Sequence, residues 1–358
     1  MGGLIVQATT QETTRHRSAR LPAGALAAAL LALFLAGLAG VTLGPVPISP
    51  LGVLREVADH VPGVHVESGL SAREAAIVWE LRLPRVVLGG LVGAMLAAAG
   101  AAYQGVFRNP LADPYLLGVA AGAGLGATLG IVRQAPAWPV DPVVAAAFAG
   151  GAMAVGATYL LGRSAGGGRT GSTLILAGVA VASFFTALQT FVQQRESDAI
   201  REVFSWILGR LGTVGWAEVG LVAPYVGLSA AVLVLHRRLL DVLSVGEEEA
   251  DSLGVRTARV RTAVVLAATL GTAAAVAVSG LIGFVGIIVP HAIRLALGWS
   301  YRIILPLSLV VGGAFLIVAD LVARLALAPA ELPIGVVTAF FGAPFFGLVL
   351  RTSRRQAI

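Results

Sequence analysis

The sequence predicts an all-α integral membrane protein with ten transmembrane helices. Its 358 residues are 57% hydrophobic and only 12% charged, with a mean hydropathy of +0.87. A soluble domain carries about 25% charged residues, so this chain has too few polar groups to cover a water-facing surface. Apolar stretches of about 20 residues recur from end to end, and each can cross a hydrocarbon core of ~30 Å. These stretches are unbroken, which favours helices over the alternating strands of a membrane barrel.

The ten membrane helices follow one another without a linker that would separate two soluble domains. Pro84 precedes the second helix, and Asp113 with Pro114 is expected to cap and open the third. Short interfacial helices are expected at 51–60 and 71–80, in the longest outer segment. The ten predicted spans are 21–43, 85–104, 115–132, 141–161, 172–192, 217–235, 260–279, 281–298, 303–323 and 333–350.

The third helix carries a stripe of glycines, at positions 118, 122, 126 and 130. Residues four apart lie on one helical face, where the absence of side chains lets another backbone approach closely. The stripe therefore predicts helix packing rather than the lining of a pore.

The distribution of arginine predicts the orientation of the chain. All 25 basic residues are Arg, and with a cytoplasmic N-terminus 16 of them fall inside and nine outside. The outer loops also hold most of the acidic residues. An even number of helices then places both termini in the cytoplasm, and the pI near 10.6 reflects the positive-inside rule rather than a nucleic-acid surface.

Two missing residue types exclude several kinds of chemistry. The absence of Cys excludes disulfides and thiolate metal sites, and the absence of Lys excludes a P-loop, which needs a lysine to reach the phosphates. Any ATP-driven activity therefore requires a second protein. The helices contain no paired carboxylates, no HExxH and no nucleophile–base set, so no catalytic residue, no metal site and no cofactor is predicted in this chain.

Several short segments, in this order, resemble the FecCD-type permeases of ABC importers for iron–siderophores, haem and vitamin B12. The segments are RLPR at 82–85, RNPLADP at 108–114, LAGV at 176–179, WILG at 206–209, GEEEA at 246–250, GFVG at 283–286, VPH at 289–291, ELPIG at 331–335 and GAPF at 342–345. The resemblance covers roughly residues 75–352.

The resemblance implies a type II ABC importer permease in the cytoplasmic membrane of a prokaryote. It implies ten helices per subunit, a homodimer of 20 helices, and alternating access at the dimer axis. The expected partners are a second copy of the chain, a cytoplasmic ATPase dimer that carries ATP and magnesium, and an extracytoplasmic substrate-binding protein. The expected organisation is a cytoplasmic tail at 1–20, a permease domain at 21–352 and a cytoplasmic tail at 353–358. Ferric siderophore is the preferred cargo from its frequency in the family, with haem and vitamin B12 as alternatives.

The inner segment 241–254 is the first candidate site. Ser244 followed by Glu247 fits a capping box that would begin a short helix. The resemblance implies that this segment couples the permease to the ATPase, whereas composition alone would favour a solvated acidic loop. The expected coupling residues are Ser244, Gly246, Glu247, Glu248, Glu249, Ala250, Leu253 and Gly254.

Three arginines at outer helix ends, Arg82, Arg85 and Arg324, are the second candidate site. The resemblance implies that they meet glutamates of the binding protein, and a guanidinium suits carboxylates in two-point contacts. The alternatives are snorkelling for Arg82 and Arg85, and an i,i+4 pair of Arg324 with Asp320.

A gate and a pathway are the third candidate. The resemblance aligns Gly171 and Ser172 with a cytoplasmic gate, and Gly171 departs from the threonine of the vitamin B12 permease; a simple helix start is the alternative. Polar residues of the fifth helix recur at spacings of three and four, which suits either a wet channel or interhelical hydrogen bonds. These residues are Ser183, Thr186, Gln189, Thr190 and Gln193.

His291 and Arg294 are the ionisable pair of the eighth helix, and we interpret them as structural, with Arg294 snorkelling at the inner boundary. A proton- or sodium-coupled secondary transporter is the main functional alternative. It would favour ionisable residues in mid-helix, and most helix centres carry none. A membrane-embedded enzyme ranks last.

Overall fold

The computed structural model describes residues 21–133, 140–164, 171–212 and 215–353. The described chain is helical, and within those ranges Leu327 and Ala330 form an isolated β-bridge but no strand occurs. The predicted tails at 1–20 and 353–358 lie outside these ranges, except for Ser353, which ends the last helix.

Fourteen α-helices account for the described architecture. In chain order they are α1 Ala23–Thr42, α2 Pro50–Asp59, α3 Ala72–Ala76, α4 Leu83–Phe107, α5 Val119–Arg133, α6 Pro142–Ser164, α7 Gly171–Arg195, α8 Ile200–Ile207, α9 Trp216–Val245, α10 Glu247–Ser252, α11 Thr257–Ser279, α12 Val285–Leu297, α13 Tyr301–Leu325 and α14 Ile334–Ser353. A π-helix, Ile77–Arg82, joins α3 to α4, and a 3-10 turn, Ser197–Ala199, precedes α8.

The predicted membrane fold is confirmed. Seven helical segments are long and apolar enough to cross a membrane, and three shorter apolar helices, α5, α12 and α14, correspond to the other three predicted spans. The short helix predicted at 51–60 is present as α2, whereas the one predicted at 71–80 is not separate, because α3 continues through the π-helix into α4 as one helical segment, Ala72–Phe107.

Three predicted boundaries are wrong, and one helix is missing from the prediction. α5 begins at Val119, because Asp113 accepts a hydrogen bond from the Tyr115 backbone N–H (2.8 Å) in a turn before the helix. α9 does not end at 235 but continues to Val245. α12 starts four residues late, after Gly280 and Phe284 adopt left-handed backbone angles, and α8 was not predicted at all.

Helix α4 is the centre of the bundle and packs against α1, α9, α11, α12 and α13. Glycines allow these crossings: a Cβ on Gly93 would clash with the backbone of Gly312 in α13, and a Cβ on Gly100 would clash with Gly286 in α12. Close backbone contact of this kind replaces the hydrophobic effect, which cannot drive helices together in lipid.

The predicted glycine stripe is confirmed as a packing surface. A Cβ on Gly122 or Gly126 would strike the carbonyl of Gly150 or Ala146 in α6, so α5 and α6 lie in direct backbone contact. Gly118 instead faces α7. By contrast, large apolar side chains of α7 and α14 stay uncovered within the subunit, including Leu176, Phe184, Phe191 and Phe340.

Candidate functional site

The two ends of the bundle carry different polar clusters, and the described structure separates them as the sequence predicts. One end holds Arg82, Arg85 and Arg324, and the other holds the segment 241–254. Each end is considered in turn.

A charged cluster at the predicted outer end is built around Asp320 of α13. The Arg85 guanidinium donates to the carboxylate of Asp320 through Nε (3.1 Å) and Nη2 (2.9 Å). Arg85 also donates to Glu331 through Nη1 (3.1 Å) and Nη2 (2.9 Å). Arg324 lies 3.1 Å from Asp320 in the predicted i,i+4 pair, which confirms that alternative. One buried carboxylate thus neutralises two arginines from different helices.

Arg82 and Arg324 hold the end of α1 in place. Arg82 is 7% exposed and donates to the carbonyl oxygens of Val41 (2.8 Å), Thr42 (3.1 Å) and Val46 (2.6 Å). Arg324 donates to the carbonyl of Gly40 at 2.8 Å. The last carbonyls of a helix have no partner inside the helix, so these guanidinium groups satisfy them. The snorkelling alternative for Arg82 is wrong, because its guanidinium group is buried against backbone carbonyls.

Only the Glu331 side of this cluster borders open space. The Asp320 side chain is 4% exposed, whereas that of Glu331 is 48% exposed. A cavity of about 180 Å³ lies beside them and is lined by residues including Arg85, Ser205, Arg210, Asp320 and Glu331. The docking role of the three arginines stays a prediction. Arg85 is the one of the three that lines this cavity.

The inner segment 241–254 forms the end of α9, a one-residue break and the short helix α10. The predicted capping box is wrong: Ser244 is still inside α9 and donates to the carbonyl of Asp241 (2.7 Å), while Gly246 precedes α10 without a side-chain cap. The side chains of Glu247 and Glu248 lie outside the described part of the structure.

Two apolar side chains stand exposed on either side of α10. Val245 is 72% exposed and Leu253 is 71% exposed, whereas Leu243 and Ala250 are buried. Gly254 follows with a φ of +77°, which suits the glycine there and turns the chain towards α11. The Thr257 hydroxyl donates to Asp251 (3.0 Å) and ties this turn to α11. The segment is therefore a fixed helical projection rather than a solvated loop.

Asp241 anchors that projection to the rest of the inner end. Its carboxylate accepts hydrogen bonds from the Ser300 hydroxyl (2.9 Å) and the Tyr301 backbone N–H, and lies 3.8 Å from Arg302. Asp241 therefore ties the end of α9, just before α10, to the start of α13. These two contacts join residues that are 59 and 60 positions apart in the chain.

The predicted gate residues Gly171 and Ser172 begin α7, and their side chains lie outside the described structure. Along α7, Ser183, Thr186 and Thr190 are exposed, and Ser183 and Thr190 donate back to carbonyls one turn earlier. Gln193 is half-buried.

Gln189 differs from its predicted companions on α7. It is buried and donates to the Thr128 hydroxyl of α5 (3.2 Å). Gln189 is therefore an interhelical contact, and the channel interpretation of the other four residues stays a prediction.

The expected snorkelling of Arg294 is also wrong. Arg294 is buried, with its guanidinium carbon 5.6 Å from the Trp299 ring and 5.8 Å from the Tyr301 ring. His291 packs edge-on against Phe345 of α14. No group of three or more potential metal-ligating residues occurs in the described ranges.

Sequence reasoning missed Glu331 as a site residue, and it placed Asp241 in the segment 241–254 without giving it a role. Both were visible as acidic residues flanking helix ends that carry arginines, and a search for complementary charges at ends on the same side of the membrane would have found them.

Comparisons with known proteins agree with the resemblance seen in the sequence. The sequence profile of the FecCD transport family matches residues 21–352. The cobalamin import system permease protein BtuC of Halobacterium salinarum is 40% identical, over 96% of this chain and 100% of its own. The iron(3+)-hydroxamate import permease FhuB of Bacillus subtilis is 38% identical, over 78% of this chain and 72% of its own. A solved metal-chelate type ABC transporter in an inward-facing conformation matches with a TM-score of 0.79 and 28% identity, covering 91% of this chain and 98% of that one.

Proposed function

The chain belongs to the FecCD transport family of ABC importer permeases, and from this premise we propose that it moves a bulky metal chelate inward by alternating access at a dimer axis. The observation that carries the proposal is the family match over residues 21–352, joined to a membrane fold that superimposes on a metal-chelate transporter. A multi-pass protein of a prokaryotic cytoplasmic membrane fits both. Nothing in the comparisons favours the secondary-transporter alternative.

We put a corrinoid first among the cargoes to test. The cobalamin permease of Halobacterium salinarum is matched over its whole length, which supports this order. The hydroxamate permease keeps ferric siderophore, the cargo that family frequency favours, as the second candidate. Haem, the third cargo open from the sequence, follows these two.

A second copy of the chain would cover the uncovered faces of α7 and α14. α7 mixes exposed apolar residues, such as Phe184 and Phe191, with the exposed hydroxyls of Thr186 and Thr190. Such a face suits neither pure lipid nor pure water, but it suits a helix that partly contacts a partner and partly lines a wet path. This supports placing the pathway between two copies, with the gate near Gly171 and Ser172.

A cytoplasmic ATPase would dock on α10. The chain lacks the lysine of a P-loop, so ATP must be hydrolysed on another protein. Exposed Val245 and Leu253 provide an apolar contact, and Asp241 links the same segment to the start of α13. A rigid-body push on α10 would then reach the transmembrane helices.

A substrate-binding protein would dock at the opposite end, beside Arg85. Its carboxylate would have to replace Glu331, because Asp320 is buried and committed to two arginines. Arg82 and Arg324 would support this contact indirectly by holding α1 and Asp320.

The proposal is tested by uptake in proteoliposomes that contain this chain and its co-purified ATPase. We expect ATP-dependent uptake of labelled cobalamin that persists after a proton uncoupler is added. The matched control is the same complex with the P-loop lysine of the ATPase replaced, which should not transport. Uptake that stops with the uncoupler but continues without ATP would contradict the proposal and favour the secondary transporter. Ferric hydroxamate and haem, offered in parallel, decide between cargoes.

A further inference from the structure

A long groove runs between α6 and α11. Its largest part is a cavity of about 410 Å³ whose walls include Phe148 and Leu160 on α6 and Leu266 and Ala273 on α11. A second cavity of about 250 Å³ continues beyond Phe148, where Tyr225 of α9 forms a third wall. The walls of both cavities are almost entirely apolar.

The groove is deep because small residues stand where large side chains would fill it. Ala152 and Gly156 line it from α6, and Ala273 lines it from α11. A Cβ on Gly156 would meet no atom within 4 Å. Exposed Leu160 and Leu266 form its rims, so the groove opens sideways rather than towards either end of the bundle.

The dimensions of the groove match one leaflet of a bilayer. From Phe148 to Leu160 there are 12 residues of α6, which at 1.5 Å per residue is roughly 18 Å. Half of a hydrocarbon core of ~30 Å is about 15 Å. A single acyl chain lying along α6 would therefore fill the larger cavity.

The end of the groove near α6 residue 163 is polar and basic. Tyr159 forms a hydrogen bond with Thr262 across the groove (2.8 Å) and closes its floor. Just beyond it, exposed Arg163 lines a small cavity together with Arg261. Exposed Arg259 lies three residues before Thr262 on α11. No acidic residue is among the described residues that line these three cavities.

We propose that this groove binds an anionic membrane phospholipid, with its phosphate at Arg163 and one acyl chain along α6 and α11. Basic pockets between membrane helices on the cytoplasmic side are suited to acidic headgroups, and the positive-inside rule places Arg163 on that side. The apolar walls accept the chain, and the exposed Arg163 selects the charge. None of the residues that line the three cavities is itself a proposed docking, coupling or pathway residue, and the basic end borders the start of α7 at Thr173 and Leu174.

The test measures bound lipid on the purified full-length chain by native mass spectrometry, with phosphatidylglycerol and phosphatidylcholine titrated separately. We expect Arg163→Gln to weaken phosphatidylglycerol binding about fivefold, the effect of roughly one surface arginine, and to leave phosphatidylcholine binding unchanged. Gly156→Leu should weaken binding of both lipids, because its side chain occupies the space of the acyl chain. Arg351→Gln, which removes the same charge at the end of α14, is the control and should behave as the unmodified chain.

Three results would overturn the proposal. The first is an equal loss in the Arg163 and Arg351 variants, which would mean that only overall charge matters. The second is displacement of bound phosphatidylglycerol by millimolar inorganic phosphate, which would assign the basic end to a free anion. The third is a Gly156→Leu chain that keeps its lipid but changes its oligomeric state in size-exclusion chromatography, which would assign the groove to a second copy.

Discussion

Replacing Asp320 by alanine should destabilise the subunit more than any single change at its predicted outer end. The carboxylate is 4% exposed and neutralises Arg85, 13% exposed, and Arg324, 8% exposed. At about 4 Å and an effective dielectric constant near 20, one such pair is worth about 4 kcal/mol of Coulomb energy. Removing one partner of a buried pair leaves an uncompensated charge and costs about 3–5 kcal/mol. We therefore expect Asp320→Ala to lower the free energy of unfolding by about 3–5 kcal/mol.

The contrast with Glu331 makes this prediction specific. Glu331 bonds the same Arg85 guanidinium but is half-exposed, so Glu331→Gln should cost less than about 1 kcal/mol. Asp320→Asn keeps the shape of the side chain and should fall between the two. The measurement is equilibrium unfolding of the purified chain in mixed micelles, followed by circular dichroism. Equal, small losses in Asp320→Ala and Glu331→Gln would refute the view that Asp320 holds two buried arginines together.

Three further predictions concern packing, coupling and pH. Gly100→Val should prevent folding, because its Cβ would clash with the backbone of Gly286 in α12, whereas Gly227→Val in α9 meets open space and should fold normally; size-exclusion profiles check both. Leu253→Glu should lower permease-stimulated ATP hydrolysis at least tenfold without changing the unfolding midpoint, since Leu253 is exposed; an unchanged rate would remove α10 from the coupling contact. Burial raises the pKa of Asp113 to about 6, outweighing the Tyr115 backbone hydrogen bond, so folding is most favourable while this carboxyl is protonated and loses stability as pH rises from about 4 to 6. Asp113→Asn should therefore stabilise the chain at pH 7 by up to about 3 kcal/mol and have no effect near pH 4, and thermal unfolding at the two pH values measures the difference.

Much of the fold could be predicted from the sequence because the bilayer restricts what a span can be. A run of about 20 apolar residues must form a helix in lipid, so the ten spans could be predicted without knowing which helices pack together. The packing role of the glycine stripe of α5 could also be predicted, since residues without side chains at that spacing let another helix approach closely. Helix ends were less predictable: α9 runs to Val245 because the inner segment packs on α11 and α13, and no local signal marks that support.

The polar sites, too, could be predicted only in part from the sequence. Composition and order alone placed Arg82, Arg85 and Arg324 at one end of the bundle and 241–254 at the other, because charges are expelled from the hydrocarbon core. Only the tertiary structure decided what each charge does. It buries Arg82 against the end of α1, places Asp320 between two arginines, leaves Glu331 at the surface and separates Gln189 from the other polar residues of α7. These outcomes depend on residues up to 246 positions apart in the chain, and the contacts between them exist only once the helices have packed.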